Sequence, residues 1–144
     1  MADAALLRHR ARGALEVLAS HPHCDAARIA VAGFCLGGIV ALELARDGAP
    51  IRAAVGFHPG LKRPAGSTTL PIGARVLMMI SDDDPVAPPE DRAAFVQEMR
   101  EAGADWQLHL FGGVGHSYTN RDIDAYGFPG FAYHGQVTGA RGLD

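Results

Sequence analysis

RIAVAGFCLGG, Arg28 through Gly38, sets a cysteine between glycines at the end of a short apolar run. The run, Arg28 to Phe34, is bounded by turn residues, so it reads as a buried strand. LGGIVALELARDG follows it as a helix that ends at Asp47-Gly48. A strand running through a tight glycine turn into a helix is half of a β-α-β unit, and the rest of the chain continues the alternation. Residues 51–60 (IRAAVGFHPG) read as a second strand and residues 75–81 (RVLMMIS) as a third. A Pro-, Gly-, Ser- and Thr-rich loop lies between them. DDDPVAPP is a turn, and Glu90 to Glu101 form a helix closed by Gly103. In the fourth strand, DWQLHLFGG, the core residues Trp106, Leu108 and Leu110 alternate with Gln107 and an outward His109. Before all of these, residues 3–19 form an amphipathic helix whose apolar positions are Leu6, Leu7, Ala14, Leu15 and Leu18. The tail from Gly127 has no helical period. The expected fold class is therefore α/β, a mostly parallel sheet of about four strands flanked by helices, in a single domain over 1–144.

The bulk properties exclude several classes. The chain has 144 residues, 48% of them hydrophobic and 20% charged, with a formal net charge of −3. No Lys/Arg run supplies a nucleic-acid footprint. No uncharged apolar run reaches the about 18 residues that a membrane span needs. The first residues mix acids and bases and lack the apolar core of a signal peptide, so the expected location is the cytoplasm. Cys24 and Cys35 give neither a disulfide framework nor a C-x-x-C redox pair. Cys24, His21 and His23 lack a fourth ligand and read as a plain loop rather than a metal site. GGVG before His116 lacks the context of a phosphate loop.

In open parallel sheets, sites gather at the carboxyl ends of the strands. Cys35 follows the first strand, Asp82, Asp83 and Asp84 the third, and His116 the fourth. That is the chain order nucleophile, acid, histidine of α/β-hydrolases, and GFCLGG has the strand–turn–helix setting of their nucleophile elbow with Cys for Ser. The turn brings strand and helix backbones together, so a Cβ at Gly33 or at Gly37 is expected to clash. The helix N-terminus and a His partner favour thiolate at Cys35. The Leu36 N–H is placed to donate to a developing oxyanion, with His116 as base and acid and an Asp behind it. His58, before Pro59-Gly60, and Tyr118, two residues after His116, are candidates to line the substrate site.

RIAVAGFCLGG, SDDDPVAPPEDRAAF, WQLHLFGGVGHSYTN and GFPGFAYH together resemble the dienelactone hydrolase family of α/β-hydrolases. The resemblance covers most of residues 3–134. It implies hydrolysis of a small-molecule ester or lactone with Cys35 as nucleophile and His116 as base, without a cofactor. It aligns Asp84, with Pro85 next and Pro88 three further on, with the family's acid; Asp83 is the fallback. Where members acting on dienelactone itself carry an Arg, this chain has Asn120, with Arg121 adjacent. The end, GQVTGARGLD, does not resemble the family's final helix. Only one helix precedes the elbow strand, so the expectation is a partial fold that lacks the early strands and the second oxyanion donor they supply. Losing one such donor costs about two to three orders of magnitude in rate. Without those strands, the first strand becomes an apolar edge open to self-association. The alternative to an active hydrolase is a catalytically impaired remnant or interaction module.

Overall fold

In the computed structural model, residues 4–137 are described. The residues outside that range include the end of the tail, so the expectation for the final segment lies in part outside the described residues. The chain forms α1 (Ala4–Ala19), β1 (Ala30–Phe34), α2 (Leu36–Arg46), β2 (Ala53–Phe57), β3 (Arg75–Ser81), α3 (Pro89–Glu101) and β4 (Asp105–Phe111), with single 3₁₀ turns at Ala26–Arg28 and Ile123–Tyr126. The four strands make one sheet in the order β1-β2-β3-β4, every neighbouring pair parallel. Ala30 pairs with Ala53, Ala53 with Arg75 and Arg75 with Asp105, so the strands start level, and β3 and β4 run two residues past the ends of β1 and β2. Their carboxyl ends therefore share one rim.

Helix and strand limits follow local chemistry. α2 stops at Asp47, with Gly48 in the left-handed conformation at φ 62°. α3 starts with Pro89 at its first position and carries Glu90 and Asp91 in its first turn, where acids suit the positive end of the helix dipole. The inward residues Ala54, Val76, Met78 and Ile80 meet Ala41, Leu42, Ala45, Phe95 and Met99 from the helices. Both crossover helices lie on that face. Arg46 of α2 reaches Glu98 of α3 at 2.7 Å.

The opposite face is not covered by a helix among the described residues. This corrects the expectation of a strand buried on both sides at Arg28–Phe34. In β1, Ala30, Ala32 and Phe34 point outward, and Phe34 is 57% exposed. Leu110, expected in the core, is exposed as well. β1 and β4 are the two sheet edges.

One further expectation changes. The α1 face against α2 carries Leu7, Ala11 and Leu15, together with Arg8 and Arg12, while Leu6, Ala14 and Leu18 are exposed. Ion pairing sets this rotation. Arg8 Nε donates to Glu43 at 2.8 Å, and Arg12 pairs with Asp47. A buried charge network lies inside the otherwise apolar interface of α2 and α3. Arg46 and Glu43 are fully buried. The Arg46 guanidinium donates to Glu43 at 2.8 Å, to both Glu98 oxygens at 3.0 and 2.7 Å, and to the Leu61 carbonyl at 2.8 Å. Thr69 donates to Glu98 from the loop between β2 and β3. Every arm of a charge that burial would otherwise penalise is thus engaged. No helix among the described residues is long and apolar enough to cross a membrane.

Candidate active site

The turn from β1 into α2 is built by close backbone approach. A Cβ on Gly33 would lie 2.2 Å from the Gly37 carbonyl carbon and 2.3 Å from its oxygen. One on Gly38 would lie 3.0 Å from Pro59 and 3.2 Å from the Gly56 Cα, while Gly56 is itself crowded by Met78 and Pro59. Gly37 is the exception: nothing stands within 4 Å of the Cβ it lacks. The expected clash at Gly37 is therefore corrected, because its Cβ direction points away from the strand it touches through its carbonyl.

Cys35 sits at the top of this turn with φ 48° and ψ −113°, as the residue before the first turn of α2. Its N–H donates to the Phe57 carbonyl at 2.9 Å, which pins the turn to β2. Its sulfur lies 3.3 Å from His116 Nε2. On the far side of the same ring, Nδ1 lies 2.7 Å from Asp84 Oδ2. The other Asp84 oxygen accepts from the Val86 N–H at 2.7 Å, so a single carboxylate holds both the turn after β3 and the imidazole. Asp84 and His116 are buried, whereas Cys35 is partly open. Asp83 is exposed and Asp82 pairs with Arg92 at 2.8 Å; neither contacts the imidazole. The Leu36 N–H, the first of α2, has no backbone partner among the described residues.

His116 is clamped from behind by the segment after the 3₁₀ turn. Its N–H donates to Gly130 at 2.7 Å, and its carbonyl accepts from Ala132 at 3.0 Å. The Phe131 ring meets the imidazole edge-on at 4.6 Å. A Cβ on Gly115 would strike the Gly130 carbonyl at 2.7 Å. Ser81, the last residue of β3, donates to the Gly115 carbonyl at 2.8 Å. None of Ser81, Gly130 or Phe131 stands out in the sequence, because their work is done across long chain separations. The one available signal was GFPGFAYH.

His58 joins the site from the end of β2. It is 3% exposed and its ring lies 5.0 Å from that of His116. Its Nε2 is 2.8 Å from the Thr119 hydroxyl, and its Nδ1 is buried without a partner among the described residues. Burial, and after it the neighbouring His116, pushes His58 down to about 4, against the pull of Asp84, so it is neutral at pH 7. Tyr118 stands one layer back. It is 2% exposed, its hydroxyl donates to the Met79 carbonyl at 3.2 Å, and its ring meets His58 edge-on at 5.1 Å. Burial, and then the Asp84 charge, raises Tyr118 to about 12, which keeps it a donor. Tyr118 thus packs against His58.

Three non-glycine residues in this small region have left-handed φ: Cys35, His58 at 42° and Ser117 at 61°. All three sit on the carboxyl rim of the sheet. Cys24, by contrast, stays near the core edge, and its neighbours His21 and His23 bond to each other, the His23 N–H donating to His21 Nδ1 at 3.2 Å.

The chain is similar to known proteins over most of its length. Residues 3–136 match the Dienelactone hydrolase family. A Bradyrhizobium sp. protein named as a probable 2-oxo-3-(5-oxofuran-2-ylidene)propanoate lactonase is 30% identical over 122 residues, 78% of this chain and 49% of that protein. An uncharacterized Caenorhabditis elegans protein is 30% identical over 139 residues, 88% of this chain and 82% of its own length. The crystal structure of a dienelactone hydrolase-like promiscuous phosphotriesterase from metagenomic libraries superposes with a TM-score of 0.83 at 36% identity, over 95% of this chain and 57% of that one. The chain spans about half the length of the lactonase it matches.

Proposed function

The chain belongs to the dienelactone hydrolase family, and from that premise we propose that it hydrolyses an ester or lactone bond of a small molecule, with Cys35 as nucleophile, His116 as base and acid, and Asp84 orienting the imidazole. The observation that carries this reading is the unbroken line of contacts from Asp84 through His116 to the Cys35 sulfur. The lactonase relative supports a lactone among the substrates.

The chemistry follows from the contacts. Asp84 fixes the proton on His116 Nδ1, which leaves Nε2 as the acceptor toward sulfur. Nε2 takes the thiol proton as the sulfur attacks the substrate carbonyl. The new oxyanion is met by the Leu36 N–H at the positive end of α2. The tetrahedral adduct collapses to a thioester, and the leaving alkoxide takes the proton from Nε2. In a lactone that alkoxide remains tethered. Water, deprotonated by His116, then attacks the thioester. Collapse expels the thiolate, which recovers its proton, and releases the acid.

The experiment is steady-state hydrolysis of p-nitrophenyl acetate by the wild type and three variants. Cys35→Ala should abolish turnover. Asp84→Asn should lower kcat by about two to four orders of magnitude, because the tautomer is no longer fixed. Asp83→Asn should stay within about threefold, as expected of an exposed surface change. Turnover that survives Cys35→Ala would refute the nucleophile, and no turnover from a folded wild type would leave the impaired remnant as the reading.

A further inference from the structure

Cys35, His58 and His116 offer one sulfur and two ring nitrogens that all lie within 4.8 Å of one another. The hydrolytic mechanism uses only two of the three. His58 is the unexplained member. Its Nδ1 is buried and has no partner among the described residues, in a ring that is 3% exposed. A buried ring nitrogen with nothing to bond is costly unless something fills the place in front of it.

The surroundings of both histidines fit a cation. Histidines that bind metals generally donate their other ring N–H to a fixed acceptor, which sets the tautomer and orients the lone pair. Here Thr119 meets His58 Nε2 at 2.8 Å, and Asp84 meets His116 Nδ1 at 2.7 Å. The nitrogens left over are Nδ1 of His58 and Nε2 of His116, and the latter is already 3.3 Å from the sulfur. Tetrahedral zinc sets its sulfur–nitrogen ligand edges at about 3.5 Å. With no edge of the trio longer than 4.8 Å, small side-chain shifts would seat the ion, with a fourth position open toward the partly exposed side of Cys35.

We propose that Cys35, His58 and His116 form a three-ligand site for a soft divalent cation, zinc above all, bound at the nucleophile. Binding exchanges the thiol proton for the metal: the S–H bond breaks, a sulfur–metal bond forms, and one proton is released to solvent. The cation is then an inhibitor of the chain's own thiol and not a cofactor, because it occupies the sulfur that must attack and the nitrogen that must take the proton. The site stands on its ligands alone and is independent of which ester or lactone is hydrolysed.

The test is cobalt(II) titration of the full chain, read by the thiolate-to-cobalt charge-transfer band and the visible d–d bands of tetrahedral cobalt. One equivalent should generate both, and zinc should displace it. Cys35→Ala should lose the charge-transfer band. His58→Gln should weaken binding at least tenfold. Thr119→Val, which leaves all three ligands in place, should weaken it about 10-fold or more through the lost orientation of His58. Cys24→Ser should leave the titration unchanged. Circular dichroism melting of each variant identifies any that fails to fold, and Thr119→Val then decides in place of His58→Gln. A charge-transfer band that persists in Cys35→Ala, or wild-type affinity in both His58→Gln and Thr119→Val, would overturn the site. So would the absence of any band in the wild type.

Discussion

Glycine pairs flanking a nucleophile invite the assumption that each glycine is there for the same reason. The structure separates them, and the separation can be measured. Gly33→Ala places a methyl 2.2 Å from the Gly37 carbonyl carbon, 2.3 Å from its oxygen and 2.7 Å from the Gly38 nitrogen. All three are backbone atoms, so no rotamer change relieves the overlap; strand and helix must move apart. Overpacking of this kind costs about 3 kcal/mol or more. For a chain of this size that corresponds to a fall in melting temperature of about 10 °C, at about 3 to 4 °C per kcal/mol. Gly37→Ala adds a methyl to open space on the first turn of α2. It should stabilise by about 0.5 to 1 kcal/mol, the ordinary gain of alanine over glycine in a helix. Urea unfolding monitored by Trp106 fluorescence gives both values on one scale. The thiol in Gly33→Ala should also react with a disulfide probe at an altered rate, since the turn carrying Cys35 is displaced. A Gly33→Ala variant within 1 kcal/mol of the wild type, or a Gly37→Ala variant destabilised by more than 1 kcal/mol, would refute the account of the turn.

Two further perturbations reach the rest of the molecule. Arg46→Met strips Glu98 of its cation and leaves Glu43 with Arg8 alone, and should cost about 3 to 5 kcal/mol in urea unfolding; adding Glu98→Gln should recover part of it, and a loss below 1 kcal/mol in the single variant would count against the network. His58 takes up a proton near 6.5 in the unfolded chain but only near 4 in the folded one. The unfolded state therefore binds more protons between those values, and stability falls as the pH drops from 6.5 to 4. The loss grows to about 3 kcal/mol at the lower end. Urea midpoints taken between pH 7 and 4 should show it, and His58→Gln should remove that part of the slope.

The alternation of strands and helices was legible because each element announces itself locally. RVLMMIS is a strand in the structure over the same residues, and Asp47-Gly48 and Gly103 close their helices as read. The rim that gathers Cys35, Asp84 and His116 follows from parallel strands that start in register, and this too is written in the spacing. Pairwise matters across the fold were not legible. Arg46 looks like the polar end of an apolar helix, and only the arrival of Glu98 from another helix makes it a buried hub. Gly37 looks like Gly33 until the direction of each missing Cβ is known. Leu18 and Leu110 have the period of core residues, but periodicity does not say whether a second layer stands opposite them. Tyr118 was placed beside His116 by sequence proximity, while its hydroxyl is spent on Met79 of a central strand.

The three left-handed residues on the rim, Cys35, His58 and Ser117, put durability and chemistry in opposition at named positions. Sparsely populated backbone conformations of this kind cost about 1 to 3 kcal/mol each when the residue is not glycine. Glycine at any of the three would recover part of that cost. At Ser117 the exchange gives up only a small hydroxyl side chain; at Cys35 and His58 it removes the sulfur or the imidazole itself. A population of variants selected for heat resistance alone would therefore drift toward glycine at all three places. Selection that also demanded a working thiol would accept the change at Ser117 and refuse it at the other two.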